Sequence, residues 1–212
     1  RCQDELGLTG FVITDATESW GLPPLCDARW DPLWDAAQER GMPINFHIGA
    51  GLITPRTWGA YPPARMFAAL STMSQMGNMA CIANLIYSGL LDRFPRLKFV
   101  SVESGVGWLP FLLESLDYQF AENGVTDLEL LPSEYFRRQI YGSFWFEKDP
   151  RDAIAKLGED NLMFETDFPH ATCLYPGVRE QIAASMGDLP ERVQRKLLYE
   201  NAARFYGLKL PS

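Results

Sequence analysis

Apolar residues are gathered into five short runs, each closed by a polar residue, a Gly or a Pro. They are Gly10-Phe11-Val12-Ile13-Thr14, Pro43-Ile44-Asn45-Phe46-His47, Lys98 to Glu103, Gln139 to Phe146, and Asn161 to Asp167. Runs this short and this apolar are how strands buried on both faces read. They predict strands over 10–14, 44–48, 97–103, 139–146 and 161–167. Helical spacing fills the gaps. Asp31-Pro32 reads as an N-cap followed by Pro at the first helical position, with Leu33, Trp34, Ala37 and Arg40 at helical intervals and Gly41 as the stop. Two helices are expected over 64–77 and 78–91, broken at Gly77, and another over 111–122 with Gly124 beyond it. Asp149-Pro150 repeats the helix-start signal with Gly158 as its end, and further helices are expected over 178–186, 190–200 and 201–206.

Strand and helix therefore alternate about five times, the pattern of a parallel α/β sheet. An open doubly wound sheet would carry a Gly-rich phosphate turn at its first strand. Neither G-x-G-x-x-G leading into a helix nor G-x-x-x-x-G-K-[ST] occurs. A barrel accounts for a different fact: His47, Glu103 and Asp167 each end a separate strand, where barrel active-site residues come from. With a side-chain period of two, Met163, Glu165 and Asp167 share one face, which puts Asp167 at the barrel mouth with Glu165 one layer below. Asn45 and His47 share a face by the same rule, and so do Phe99, Ser101 and Glu103.

Composition narrows the partners. The chain has 212 residues, 47% of them hydrophobic, and a net charge of −8, which supports a sizeable core and argues against nucleic acid or an anionic membrane as partner. No charged residue occurs between Met66 and Leu91, yet Ser71, Thr72, Ser74, Gln75, Asn78, Asn84 and Ser88 are spread through that stretch. A bilayer helix wants about 20 mostly apolar residues, so two packed soluble helices are the reading preferred here. Cys2, Cys26, Cys81 and Cys173 lack C-x-x-C spacing and read as free thiols of a cytoplasmic protein, with no thiolate zinc site.

The candidate chemistry sits at the strand ends. His47 offers a neutral nitrogen ligand and Asp167 an oxygen ligand, a mixture suited to zinc or a similar divalent ion. Several segments together resemble the amidohydrolase-related metal-dependent hydrolases, the branch that includes aminocarboxymuconate-semialdehyde decarboxylase. These are Asp31-Pro32-Leu33-Trp34 ahead of the second strand, Leu91-Asp92-Arg93-Phe94-Pro95-Arg96-Leu97-Lys98-Phe99, Glu165-Thr166-Asp167-Phe168-Pro169-His170, and Asn201-Ala202-Ala203-Arg204-Phe205-Tyr206. The resemblance runs over nearly the whole chain.

It implies one (β/α)8 TIM-type barrel domain over residues 1–212, with these five strands matching barrel strands four to eight. It also implies that the first three strands, and the His-x-His pair that ends strand one, belong upstream; the start at Arg1 reads as trimmed or internal. His47 falls on the family's strand-five metal ligand. Asp167 falls on the strand-eight Asp that binds metal and works in catalysis. Glu103 stands where many members have His, as base or third ligand. A divalent metal, zinc first, is the expected cofactor, held weakly or not at all by these residues alone.

The expected function is hydrolysis or nonoxidative decarboxylation of a small organic acid, aromatic acids among them, or of an ester or amide. His170 and Trp58 are expected to contact substrate, whereas Trp108 reads as core packing. A competing reading is an inactive barrel remnant that serves as a binding or assembly module, since the two edges of an open sheet invite pairing with another copy of the chain.

Overall fold

The computed structural model describes residues 1–49 and 59–210. All five predicted strands form, each trimmed at one or both ends: β1 Phe11–Thr14, β2 Ile44–His47, β3 Phe99–Val102, β4 Ile140–Phe144 and β5 Leu162–Phe164. They pair in parallel in the order β1-β2-β3-β4-β5. Strands that run in parallel, neighbour to neighbour in chain order with helices between them, give the α/β barrel arc that the sequence leads one to expect. β1 and β5 are its two edges among the described residues.

The two faces of the sheet are built differently. Ile44, Phe46, Phe99, Ile140, Phe144 and Leu162 point to the outer face, into one apolar cluster with the helices. Those helices are α1 Asp31–Arg40, α2 Pro63–Tyr87, α3 Leu90–Arg93, α4 Leu109–Glu122, α5 Pro132–Gln139 and α6 Arg151–Leu157. Trp34 of α1 is fully buried there, edge-on to Phe99 at 6.2 Å, and its indole N–H donates to the Leu25 carbonyl at 3.1 Å. Each such side chain contributes roughly 1.5–3 kcal/mol by leaving water.

The inner face is closed only in its lower half. After α7 Val178–Met186, a continuous helix runs as α8 Glu191–Arg195, a π turn over Lys196–Glu200, and α9 Asn201–Tyr206. Phe205 of α9 packs with Val100 and Met163 and stacks near Tyr141, ring centroids 4.6 Å apart. The Tyr206 hydroxyl is hydrogen-bonded to the Asn45 side-chain oxygen, and the Asn45 amide donates to the Phe11 carbonyl at 3.0 Å. Asn45, Val100, Tyr141 and Met163 are each the second residue of their strand, so α9 plugs the N-terminal end and leaves the C-terminal end free.

Four local expectations are corrected. Asp31 is the first residue of α1 rather than its cap; a short 3-10 turn over Ala28–Trp30 precedes it, and Asp31 pairs instead with Arg93 at 2.7 Å. Gly77 does not break α2. It lets the helix pass against the buried Asp15 carboxylate, where a Cβ would come within 2.0 Å of Oδ2. Gln139 ends α5 rather than starting a strand; its buried amide donates to the Phe94 and Leu97 carbonyls at 2.8 and 3.1 Å. The helix expected over 190–200 changes to π winding at Lys196 and continues into α9. Among the described residues no helix is long and apolar enough to cross a membrane.

Candidate active site

His47 is the last residue of β2, on the inner face. Its Nδ1 lies 2.6 Å from the Ile48 carbonyl. A carbonyl only accepts, so the ring proton sits on Nδ1 and Nε2 is turned toward Glu103, 2.9 Å from Oε2. An imidazole nitrogen and a carboxylate oxygen that close together call for a proton or a cation between them.

Glu103 reaches that position by a route that strand parity does not anticipate. Phe99 packs in the outer cluster and Ser101 hydrogen-bonds Asn78 of α2 at 2.9 Å, so the face that Glu103 was expected to share is the helix-backed one. Glu103 instead adopts φ 58°, and Asp167 adopts φ 57°. They are the only non-glycine residues with positive φ among the described residues. Such a conformation costs on the order of 1–3 kcal/mol each and persists where its surroundings hold it. The Glu103 N–H donates to Glu165 Oε1 at 2.9 Å. Asp167 is held by a tight turn: the His170 N–H donates to its carbonyl at 2.9 Å, and Thr172 Oγ1 to its Oδ2 at 2.9 Å.

The outcome is a cluster at the C-terminal end of the sheet. His170 Nδ1 lies 2.9 Å from Asp167 Oδ2 and 3.3 Å from Glu103 Oε1. Glu103, Asp167 and His170 present ligand atoms all within 4.8 Å of one another, enough to hold a metal ion; His47 stands beside this group through Glu103. Burial pushes the Glu165 carboxyl up to about 7, helped by the neighbouring charges of Glu103 and Asp167 and opposed by the Ser143 hydroxyl and the Glu103 amide. The hydrogen bond and charge of Asp167, followed by Glu103, raise His170 above the usual imidazole range.

A cavity of 470 Å³ opens beside the cluster, lined by His47, Glu103, His170 and Thr172 together with Trp145, Phe146 and one face of α2. That size suits a small organic molecule. A separate cavity of 340 Å³, with Cys26 and Cys81 in its wall, contains none of these groups.

His47, Glu103, Asp167 and His170 are thus brought together. Trp58 lies outside the described residues. Trp108 packs against the core with its indole N–H on the Ser104 carbonyl at 2.7 Å. Sequence reasoning placed Glu165 below Asp167 but did not see that it holds Glu103, and it missed Thr172, Trp145 and Phe146 entirely. For Trp145 a signal existed: it lies just past the aromatic fourth strand, at the same sheet end as the others.

A family model described as amidohydrolase matches residues 1–208. The gamma-resorcylate decarboxylase of Polaromonas sp. (strain JS666 / ATCC BAA-500) is 25% identical over 187 residues, which are 80% of this chain and 54% of that protein. Its counterpart in Rhodococcus jostii (strain RHA1) is 27% identical over 187 residues, with the same shares of 80% and 54%. The chain therefore spans about half the length of the curated relatives it matches. Among solved structures, 5-carboxyvanillate decarboxylase LigW from Sphingomonas paucimobilis aligns with a TM-score of 0.80 at 28% identity, over 99% of this chain and 61% of that one. A dihydroxybenzoic acid decarboxylase from Polaromonas sp. JS666, with bound manganese and the inhibitor 2-nitroresorcinol, aligns with a TM-score of 0.73 at 21% identity, over 100% of this chain and 64% of that one. At that lower identity the likeness speaks for the fold.

Proposed function

The chain belongs to the amidohydrolase family, and from that premise we propose that the protein it represents is a metal-dependent carboxy-lyase that removes CO2 from a small hydroxylated aromatic acid. The observation that carries this reading is the convergence of Glu103, Asp167 and His170 on one point at the mouth of the sheet, beside a cavity of benzoate-accommodating size. In this reading Glu103, Asp167 and His170 hold the metal, with His47 alongside. Two acceptor-only carboxylates and an imidazole nitrogen within 4.8 Å are a fitting set for a divalent cation, and the oxygen ligands suit manganese, the ion bound in the dihydroxybenzoic acid decarboxylase of the same fold. A cation bound there supplies a positive centre for the oxygens of an acidic substrate.

The protein's own groups do the rest. Trp145 and Phe146 offer one aromatic wall against which the substrate ring packs. Asp167 moves the proton: it takes one up from the bound acid, passes it to the ring carbon, and returns to the carboxylate as the C–C bond to the substrate carboxylate breaks and CO2 leaves. Glu165 is a positioning residue that keeps Glu103 turned inward through the 2.9 Å bond to its amide. Relatives named for gamma-resorcylate and 5-carboxyvanillate support the substrate class, and these two acids head the test panel.

The test uses the full-length protein, stripped of metal and reloaded with manganese or zinc, with CO2 release as readout. Activity is expected to follow the metal and to be higher with manganese. Asp167→Asn retains the shape but cannot deliver a proton, so kcat should fall about 10²–10⁴-fold. Full turnover in metal-free protein, or in the Asn variant, would overturn the mechanism.

A further inference from the structure

The lining of the active-site cavity is chemically uneven. Trp145 and Phe146 give it an aromatic part, their rings perpendicular and 4.6 Å apart. The face of α2 gives it a neutral polar part. Phe67, Ser71 and Gln75 recur every four residues, stack on one side of the helix and all line the cavity. No Lys or Arg lines it among the described residues.

Not every polar group on this face is available. Ser74 Oγ donates to the Ser71 carbonyl at 2.7 Å, and Thr72 Oγ1 to the Ala68 carbonyl at 2.9 Å, so both hydroxyl protons are used within the helix. The Ser71 hydroxyl and the Gln75 amide have no hydrogen-bond partner among the described residues. One turn on, the buried Asn78 ties α2 to the strand end, donating to Ser101 Oγ at 2.9 Å and the Val102 carbonyl at 3.0 Å. The unspent groups are therefore held in the wall of the cavity that Glu103 and His170 also line.

We propose that Ser71 and Gln75 form a specificity subsite that reads an uncharged hydrogen-bonding substituent, a hydroxyl or methoxy group, on the ring of an aromatic acid. This rests on the carboxy-lyase reading above. Gln75 offers both a donor and an acceptor, and Ser71 adds a hydroxyl that can do either. An apolar substituent pressed against them would leave the amide buried and unpaired, which costs more than a hydrogen bond gains. A second carboxylate, such as 5-carboxyvanillate carries, would meet no cation on this wall among the described residues and would face Glu103, so of the two acids that head the panel the subsite favours gamma-resorcylate. The subsite thus selects against both extremes.

The experiment is calorimetric binding to manganese-loaded full-length protein. The ligands are salicylate, its ring-hydroxylated and ring-methoxylated analogues, and its ring-carboxylated analogues. Wild type is expected to prefer at least one hydroxylated or methoxylated analogue over salicylate by roughly tenfold, the value of one good hydrogen bond. Gln75→Leu should erase most of that ratio, and Ser71→Ala should shift it the same way. Gln75→Lys should raise the relative affinity for a ring-carboxylated analogue, a gain that a misfolded protein cannot produce. The subsite is overturned if wild type shows no such preference, or if Gln75→Leu leaves the ratio where it was. Absence of any benzoate binding to loaded wild type would overturn both readings. Binding without CO2 release would defeat the carboxy-lyase reading alone and leave the ratio test of the subsite intact.

Discussion

On the outer face of the sheet, Phe46, Phe99, Phe144 and Leu162 are fully buried under helices, and every one of them follows the strand period of two. On the inner face, the second residue of each strand from β2 to β5 is covered by α9 or bonded to it, while residues at and just beyond the strand ends carry the chemistry. The outer face is held by area removed from water, which is tolerant of detail and repeats along the strand. The mouth is held by specific hydrogen bonds to two residues in left-handed backbone, Glu103 and Asp167, which no periodicity describes. Packing supplies the frame, and individual bonds aim the functional groups.

That contrast predicts its own largest effect at Phe99. Its ring is fully buried between β3 and Trp34, so Phe99→Ala leaves a cavity in a dry cluster. We expect a loss of about 3–5 kcal/mol in unfolding free energy, read as a lower urea midpoint. A loss under about 1 kcal/mol would mean that the outer cluster relaxes far more freely than described cores do. A smaller loss is expected at Gly142 in β4, where an added Cβ would lie 2.8 Å from Leu109 Cδ1 and 3.0 Å from Val106 Cγ1. Gly142→Ala should cost about 1–3 kcal/mol by overpacking, measured the same way, although alanine on its own suits a strand better than glycine does.

These differences explain what could be read from the residues alone. The strands were legible because apolar runs that end in Gly, Pro or a carboxylate need no tertiary knowledge to interpret. His47, Glu103, Asp167 and His170 were legible as strand-end polar residues. The convergence of Glu103 with His47 and Asp167 was expected, but not its route: strict parity puts Glu103 on the side of Phe99 and Ser101, and its left-handed backbone, with its amide bonded to Glu165 62 residues away, accompanies the inward turn. The continuity of α2 through Gly77 was hidden for a similar reason. A glycine in a helical stretch reads as a break, yet here it is required by the approach of Asp15 from a distant loop. Contacts between residues far apart in sequence decide both cases, and local spacing carries no record of them. Ser71 and Gln75 were visible only as polar interruptions of an apolar stretch, since nothing local tells which face of a helix overlooks a site.

The smallest effect is expected at Val12, and it tests how far the contrast between the faces extends. Val12 pairs with Asn45 in β1 and is 64% exposed, on the side of the sheet where α9 covers the later strands. Its side chain meets too little packing for substitution to matter, so Val12→Thr in the 212-residue chain should change the unfolding free energy by no more than about 0.5 kcal/mol. Threonine matches valine in shape and suits a strand, so the change isolates the hydroxyl. In the full-length protein the same substitution should cost about 1–3 kcal/mol if further strands pair with β1 and close the barrel, because the hydroxyl is then buried without a partner. Urea midpoints of both forms, with and without the substitution, give the comparison. An equally small cost in both would show that the inner face at β1 stays open to water even in the whole protein, and that α9 rather than barrel closure sets the limit of its core.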